Sequence, residues 1–275
     1  MIFTPFSFIR RPVSSVFSYD VDAQAFFDRV IAAGGTLTTT EKNATNSLVL
    51  GLKSNSIWSP MKAIYLMIGG TSNSCAQNLT STSYVGTFSS GWSFASTGAT
   101  PSGTNCFMYT QLNPNSAFSD ANSSCFSYYS RTNNTFSGTE CGCQTNISSP
   151  TDRVALSAYY GGSSYFDQNN FTNGRLSFTT SNTAGMFVMS RTSSKIQKGY
   201  KNGTQQGSTN TNTQTSPLPN ANYTVGSLNF NDGVNWNGTN RECAFAHLSD
   251  GLTDTQIANL YTVVQAFQTT LSRQV

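Results

Sequence analysis

Charge is what this sequence has least of. Only 10% of its 275 residues are Asp, Glu, Lys or Arg, well below the roughly 25% of ordinary soluble domains. The shortage is sharpest among groups that do acid–base work. There are three glutamates, Glu41, Glu140 and Glu242, and one histidine, His247. The net charge of +3 is too small and too dispersed to argue for a nucleic-acid partner. No segment approaches the roughly 20 apolar residues of a membrane span, so none is expected. The P-loop, the GxGxxG fingerprint and the GxSxG elbow are all missing. A secretion signal is not expected either. The apolar opening is interrupted by Pro5, and its charges, Arg10 and Arg11, follow the apolar run instead of preceding it.

What is present points to an all-β particle-borne or extracellular protein. Hydrophobic residues make up 37% and aromatics 12%, with 19 Phe and 12 Tyr, enough to fill a core and exclude wholesale disorder. Ser, Thr, Asn and Gly supply the polarity that charge does not, and these residues suit strands and turns. The six cysteines (Cys75, Cys106, Cys125, Cys141, Cys143 and Cys243) mostly sit singly in apolar stretches. Cys141-Gly142-Cys143 has no second cluster to complete a zinc site. Reduced, buried thiols are expected.

Four regions separate by pattern. Residues 1–19 form an apolar, aromatic arm with prolines at 5 and 12 and no helical period, which favours extended backbone. Residues 20–60 predict a helical hairpin. Asp20 or Asp22 caps a helix with Phe26, Phe27, Val30 and Ile31 on one face, and Gly34-Gly35 ends it. Thr38-Thr39-Thr40-Glu41 is a capping box before a helix bearing Ala44, Leu48, Val49 and Leu52. Residues 61–275 predict a β-sandwich closed by a C-terminal helix. Its candidate strands are 63–68, 84–88, 106–110, 125–130, 154–159, 175–179, 186–190, 195–200, 223–228 and 243–247, with 203–216 a polar loop. A second capping box, Thr253-Asp254-Thr255-Gln256, precedes an apolar stripe of Ile257, Leu260, Tyr261, Val264, Phe267 and Leu271.

Three stretches taken in order carry a resemblance. They are the helix pair running into Met61-Lys62-Ala63-Ile64-Tyr65 and Ile68-Gly69-Gly70-Thr71; Tyr128-Tyr129-Ser130-Arg131-Thr132; and Leu248-Ser249-Asp250-Gly251-Leu252-Thr253-Asp254 leading through Val264–Thr269 to Arg273-Gln274-Val275. Together they resemble tailed-bacteriophage virion proteins with a concanavalin A-like (laminin G-like) jelly-roll sandwich. Tyr200-Lys201-Asn202-Gly203 is similar to the Asn-Gly hairpin of laminin G-like domains. The resemblance implies a mainly β fold and a non-enzymatic structural role in a virion, as capsid decoration, head fibre or tail component. Its implied partners are other virion proteins and further copies of itself. The alternative it leaves open is an adhesin that binds host-surface glycans.

Few residues of this sequence offer catalytic chemistry. Glycoside cleavage needs paired carboxylates. Glu41 belongs to a cap, Glu140 stands alone in a turn-like stretch, and Glu242 has no acidic neighbour on its face, so no catalytic residues are assigned. His247 reads as a partly buried, hydrogen-bonded core histidine. No cofactor is expected. Calcium is the one candidate, through Asp120, Asp167, Asp232 and Asp250 in loop-like contexts, but Asp-Gly and Asn-Gly are more simply turn residues. For sugar stacking, Trp92, Tyr159, Tyr160 and Trp236 are available, with Trp236, Asn235 and Asp232 the preferred set. In the arm, Ile2, Phe3, Phe6, Phe8, Ile9, Arg10 and Arg11 are assigned as an anchor into another particle subunit.

Overall fold

Strands in this chain differ in how their apolar residues are spaced, and the spacing tells which faces are covered. In Ser124–Ser130 every residue is buried, whereas Arg153–Ala158 alternates between the sheet's two faces. A computed structural model describes residues 18–103, 105–147, 149–230 and 235–275, the side chains of 149, 150, 235 and 236 excepted. The arm residues Ile2, Phe3, Phe6, Phe8, Ile9, Arg10 and Arg11 lie outside the described residues.

Two sheets form the body. The first has the spatial order Thr204–Asn210, Ile196–Lys201, Gly185–Ser193, Ser124–Ser130, Cys243–Ser249, Gly98–Pro101 and Trp92–Ala95, with Met61–Tyr65 also paired to Cys243–Ser249. The second runs Arg175–Thr179, Ser163–Gln168, Ser149–Tyr160, Cys141–Asn146, Thr224–Val225, Met108–Tyr109 and Thr87–Phe88. Leu228–Phe230 joins it in parallel beside Cys141–Asn146 and pairs with Asn235–Trp236. The remaining named pairings are antiparallel, as in a sandwich of hairpins and crossovers.

Alternate residues of the first sheet face two different cores. Phe126, Tyr128, Phe187, Met189 and Leu248 meet Cys141, Val154, Leu156 and Phe166 of the second sheet. Cys125, Tyr129, Met186, Val188 and Phe245 face the other way, onto helices. Both faces are therefore apolar, and its central strands read as near-continuous runs. The helices of this layer are α1 (Val21–Ala32), α2 (Thr39–Ser54) and, late in the chain, Asp254–Thr270. Asp20 caps α1, accepting from the Asp22 amide at 3.0 Å, and both predicted capping boxes form. Phe26, Phe27, Val30, Leu48, Leu52, Ile257, Leu260, Val264 and Phe267 pool in one cluster with the sheet's outer face. Gly51 sits where α2 meets the last helix, and a Cβ there would lie 2.7 Å from Val263 Cγ1.

The chain end is stitched into this layer. Arg273 is fully buried and donates to the carbonyls of Leu66, Met67 and Ala244 at 2.7–2.8 Å and to Gln268 Oε1 at 2.5 Å. Four carbonyl-type acceptors replace the water that the guanidinium loses.

Several strands were not visible in the sequence reading: Trp92–Ala95, Gly98–Pro101, Cys141–Asn146 and Ser163–Gln168. The segment read as a polar loop after Gly203 begins with a strand, Thr204–Asn210. It lies at the sheet edge, mostly out of the core, and its pairing with Ile196–Lys201 decides its conformation, not an apolar face. The Asn202-Gly203 hairpin forms as read, with φ of +50° and +74° and Lys201 opposite Thr204.

Candidate functional site

Among the described residues no helix packs over the outer face of the second sheet, and its strands alternate accordingly. Val154, Leu156 and Ala158 point into the sandwich. Arg153 and Ser157 point out, as do Tyr165, Asp167 and Arg175 on the next two strands. Of these side chains Arg153, Ser157, Tyr165 and Arg175 line a groove of about 490 Å³, within the range of pockets that hold small ligands, roughly 300–1,000 Å³.

The floor is a charged cluster. Asp167 is 1% exposed and opposite Arg175 in the strand register. Arg175 grips it with two bonds, Nε to Oδ1 at 2.6 Å and the second nitrogen to Oδ2 at 2.7 Å. Arg153 reaches the same carboxylate, Nε to Oδ2 at 2.8 Å. Two guanidiniums thus share one carboxylate. Burial pushes the Arg153 pKa down, Asp167 opposes that, and the neighbouring Arg175 charge adds to it.

Aromatic rings surround the cluster. The Arg175 guanidinium lies 3.9 Å from the Phe171 ring centroid and 4.8 Å from that of Tyr165, close enough for cation–π attraction. Tyr160 meets Tyr165 edge-on at 6.4 Å. Tyr160 is 47% exposed, Phe171 37% and Ile147 56%. Three large apolar side chains left in water around one groove mark a contact surface. Thr139, whose hydroxyl is 3.1 Å from that of Ser157, adds polar groups to the wall.

Local chemistry sets these positions. Tyr160 enters a two-residue hairpin turn made by Gly161 and Gly162, both with positive φ, with Ser163 opposite. Phe171 rides on a tight loop in which Asn170 Oδ1 accepts from the amides of Thr172 and Asn173 at 2.7 and 2.8 Å. Gly174 closes that loop, where a Cβ would sit 2.3 Å from the Gln168 carbonyl.

The predicted site residues fall in different places. Asp232 and the side chains of Asn235 and Trp236 lie outside the described residues, while Phe230 and Asn237 on either side of that segment line the groove. Tyr160 belongs to the groove. Trp92 is half-buried, its indole donating to the Phe107 carbonyl at 3.2 Å and meeting Phe88 edge-on. Of the calcium candidates, Asp167 is on a strand, not a loop, and is held by arginines. Asp120 accepts from the Asn122 amide and Asp250 pairs with Lys62. Among the described residues, no three His, Cys, Asp or Glu converge as a metal cluster would require.

Glu140 does not stand alone in a turn. It is fully buried, bound to Arg241 at 2.7 Å and to the Thr239 hydroxyl at 2.8 Å, with the Ala158 amide also donating to it. His247 is fully buried, not partly so, and its Nδ1 meets the Ser127 hydroxyl. Burial lowers its pKa to about 3, so this serine–histidine contact is sealed from any substrate. The six cysteines are all free and buried, with burial pushing Cys75 and Cys125 up to about 12.

Arg153, Arg175, Tyr165 and Phe171 were missed as site residues. One signal was available: Gly161-Gly162 flanked by Tyr159-Tyr160 and Tyr165-Phe166 is a hairpin signature.

No protein-family model matches the sequence, and neither does any curated protein. Solved structures do match in shape. One is domain 4 of AbnA, an extracellular GH43 arabinanase from Geobacillus stearothermophilus, in complex with arabinotriose. It aligns with a TM-score of 0.52 and 16% identity over 73% of this chain and 97% of that one. A Trypanosoma rangeli sialidase mutant displaying trans-sialidase activity aligns at 0.53 and 10% identity, over 82% of this chain and 39% of that one. The binding domain of botulinum neurotoxin serotype D aligns at 0.51 and 12% identity, over 75% of this chain and 51% of that one. The fold is a lectin-like β-sandwich. This sandwich spans nearly all of the arabinanase domain but about half or less of the other two chains.

Proposed function

We propose that this lectin-like sandwich is a carbohydrate-binding protein and that its glycan lies in the groove on the open face of the second sheet. The observation that carries this is the ring of exposed Tyr160, Phe171 and Ile147 around a polar, arginine-bearing floor. Sugars offer apolar C–H faces to aromatic rings and hydroxyls to polar side chains, so such a wall and floor suit them. The arabinotriose bound to the arabinanase domain supports the same reading.

We take the protein to be a binder and not a hydrolase. Among the described residues that line the groove none is Asp or Glu, and Asp167 beneath them is engaged by two arginines. Cleavage of a glycosidic bond by the common route needs two carboxylates flanking it. The resemblance of the chain's motifs to phage virion proteins supports display on a particle. There the helix layer and arm would serve attachment and the groove would face a host surface. Mass spectrometry of purified particles that lacked this chain would end that placement.

A glycan array on the isolated protein tests the binding reading. Binding to at least one glycan class is expected, and Tyr160→Ala with Phe171→Ala should weaken it about tenfold or more while melting stays near wild type. No binding to any glycan, or a double variant that binds as well as wild type, would overturn it.

A further inference from the structure

The groove floor carries more positive charge than its own carboxylate balances. Arg153 and Arg175 face the single carboxylate of Asp167, and their side chains are only 13% and 27% exposed. The other acid on the Ser149–Tyr160 strand, Asp152, takes the opposite face, where its charge acts on Cys143. Asp167 spends both oxygens on the arginines. Arg175 keeps the far side of its guanidinium free of any hydrogen bond described, with its Cζ over the rings of Phe171 and Tyr165. A guanidinium held over aromatic rings and anchored on one edge by a bidentate carboxylate presents its remaining N–H groups in a restricted direction, which suits a planar or multi-oxygen anion.

We infer that the groove selects an acidic glycan, one whose carboxylate or sulfate group sits over Arg153 and Arg175 while its ring packs against Tyr160 and Phe171. This rests on the glycan-binding reading above and narrows it. An uncompensated, half-buried positive charge costs free energy that an anionic ligand offsets. The depression of the Arg153 pKa, to which Arg175 contributes, is consistent with a like-charge pair awaiting an anion. A neutral sugar would leave that excess unbalanced.

Three oligosaccharides separate the outcomes: an oligogalacturonate, the same oligomer with its carboxylates reduced to alcohols, and a sulfated oligosaccharide. Calorimetry should show one or both acidic ligands binding about tenfold or more tighter than the reduced one, and binding should weaken as salt rises. Which acidic ligand binds identifies the acid group. Arg153→Gln leaves Arg175 and Asp167 as a balanced pair, so it should largely erase the preference for acid over alcohol. The salt dependence and the reduced ligand need no variant, so a misfolded Arg153→Gln does not rescue the idea. If the reduced and acidic oligomers bind equally, or only neutral glycans on the array bind and Tyr160→Ala weakens them, the acid preference is wrong and the glycan reading stands. If no glycan binds at all, both fall.

Discussion

The two sheets of this sandwich are built alike but finished differently on their outer faces. The first is roofed by α1, α2 and the C-terminal helix, which bury Cys125, Tyr129, Met186, Val188 and Phe245 in a second core. Among the described residues no helix covers the second, and the same alternation of the strand there turns Arg153, Ser157 and Tyr165 toward a groove. One face therefore converts its residues into stability, and the other keeps them available to a ligand. An outer sheet face yields a binding surface only where nothing else in the chain claims it.

If this division is right, substitutions on the two faces should fail in opposite ways. Phe26→Ala, in the roofed core, should cost about 3–5 kcal/mol in denaturant unfolding, with any glycan affinity of the folded fraction unchanged. A loss below about 1 kcal/mol would mean the roof is loosely packed. Acid should act next, and on the roofed side. His247 shares that face with Phe245, across from Ser127. Its folded pKa is lowered to about 3 from 6.5, so the folded protein binds fewer protons than the unfolded chain between those values. Stability is full above about pH 6.5 and falls as pH drops toward 3, by up to a few kcal/mol. Between about pH 6.5 and 4.5, above the carboxylate range, that slope should vanish in His247→Gln. A wild-type curve flat across this window would contradict the burial.

Smaller effects sharpen the contrast further. Gly51→Ala should destabilise by about 1–3 kcal/mol through overlap with Val263, despite the better helix propensity of alanine. Val263→Ala should recover part of the loss, and if Gly51→Ala instead stabilises, the two helices are not in close register. On the bare face, Tyr160→Ala should change unfolding by less than about 1 kcal/mol, because the ring is nearly half exposed. Loss of the fold on that substitution would make Tyr160 a core residue and remove it from the site.

Parts of this were legible early because their cause is local. Asp20, the capping boxes at Thr38 and Thr253, the stripes on α2 and the last helix, and the Asn202-Gly203 hairpin each depend on residues a few positions apart. The groove was only half legible. Tyr160 stood out as a stacking ring, but nothing near Arg153 in sequence says that Asp167 and Arg175 will share its face. Asp167 lies fourteen positions beyond Arg153, and the hairpin at Gly161-Gly162 has to fold back before they meet.

By composition and period alone, then, the chain determined that it would be mainly β, poor in charge, rich enough in aromatics to fill a core, and bracketed by capped amphipathic helices. Only the tertiary structure decided where those helices dock. They settle on one sheet because its outer residues are apolar, and this leaves the other sheet's outer face open. The same packing buries Glu140 with Arg241 and locks Arg273 onto three backbone carbonyls. Those charges looked unremarkable in sequence because Glu140 and Arg241 pair across 101 positions, and two of the carbonyls that accept from Arg273 lie more than 200 positions away. Local rules set which residues share a face. Long-range packing sets which face stays in water, and that is the face on which a ligand can bind.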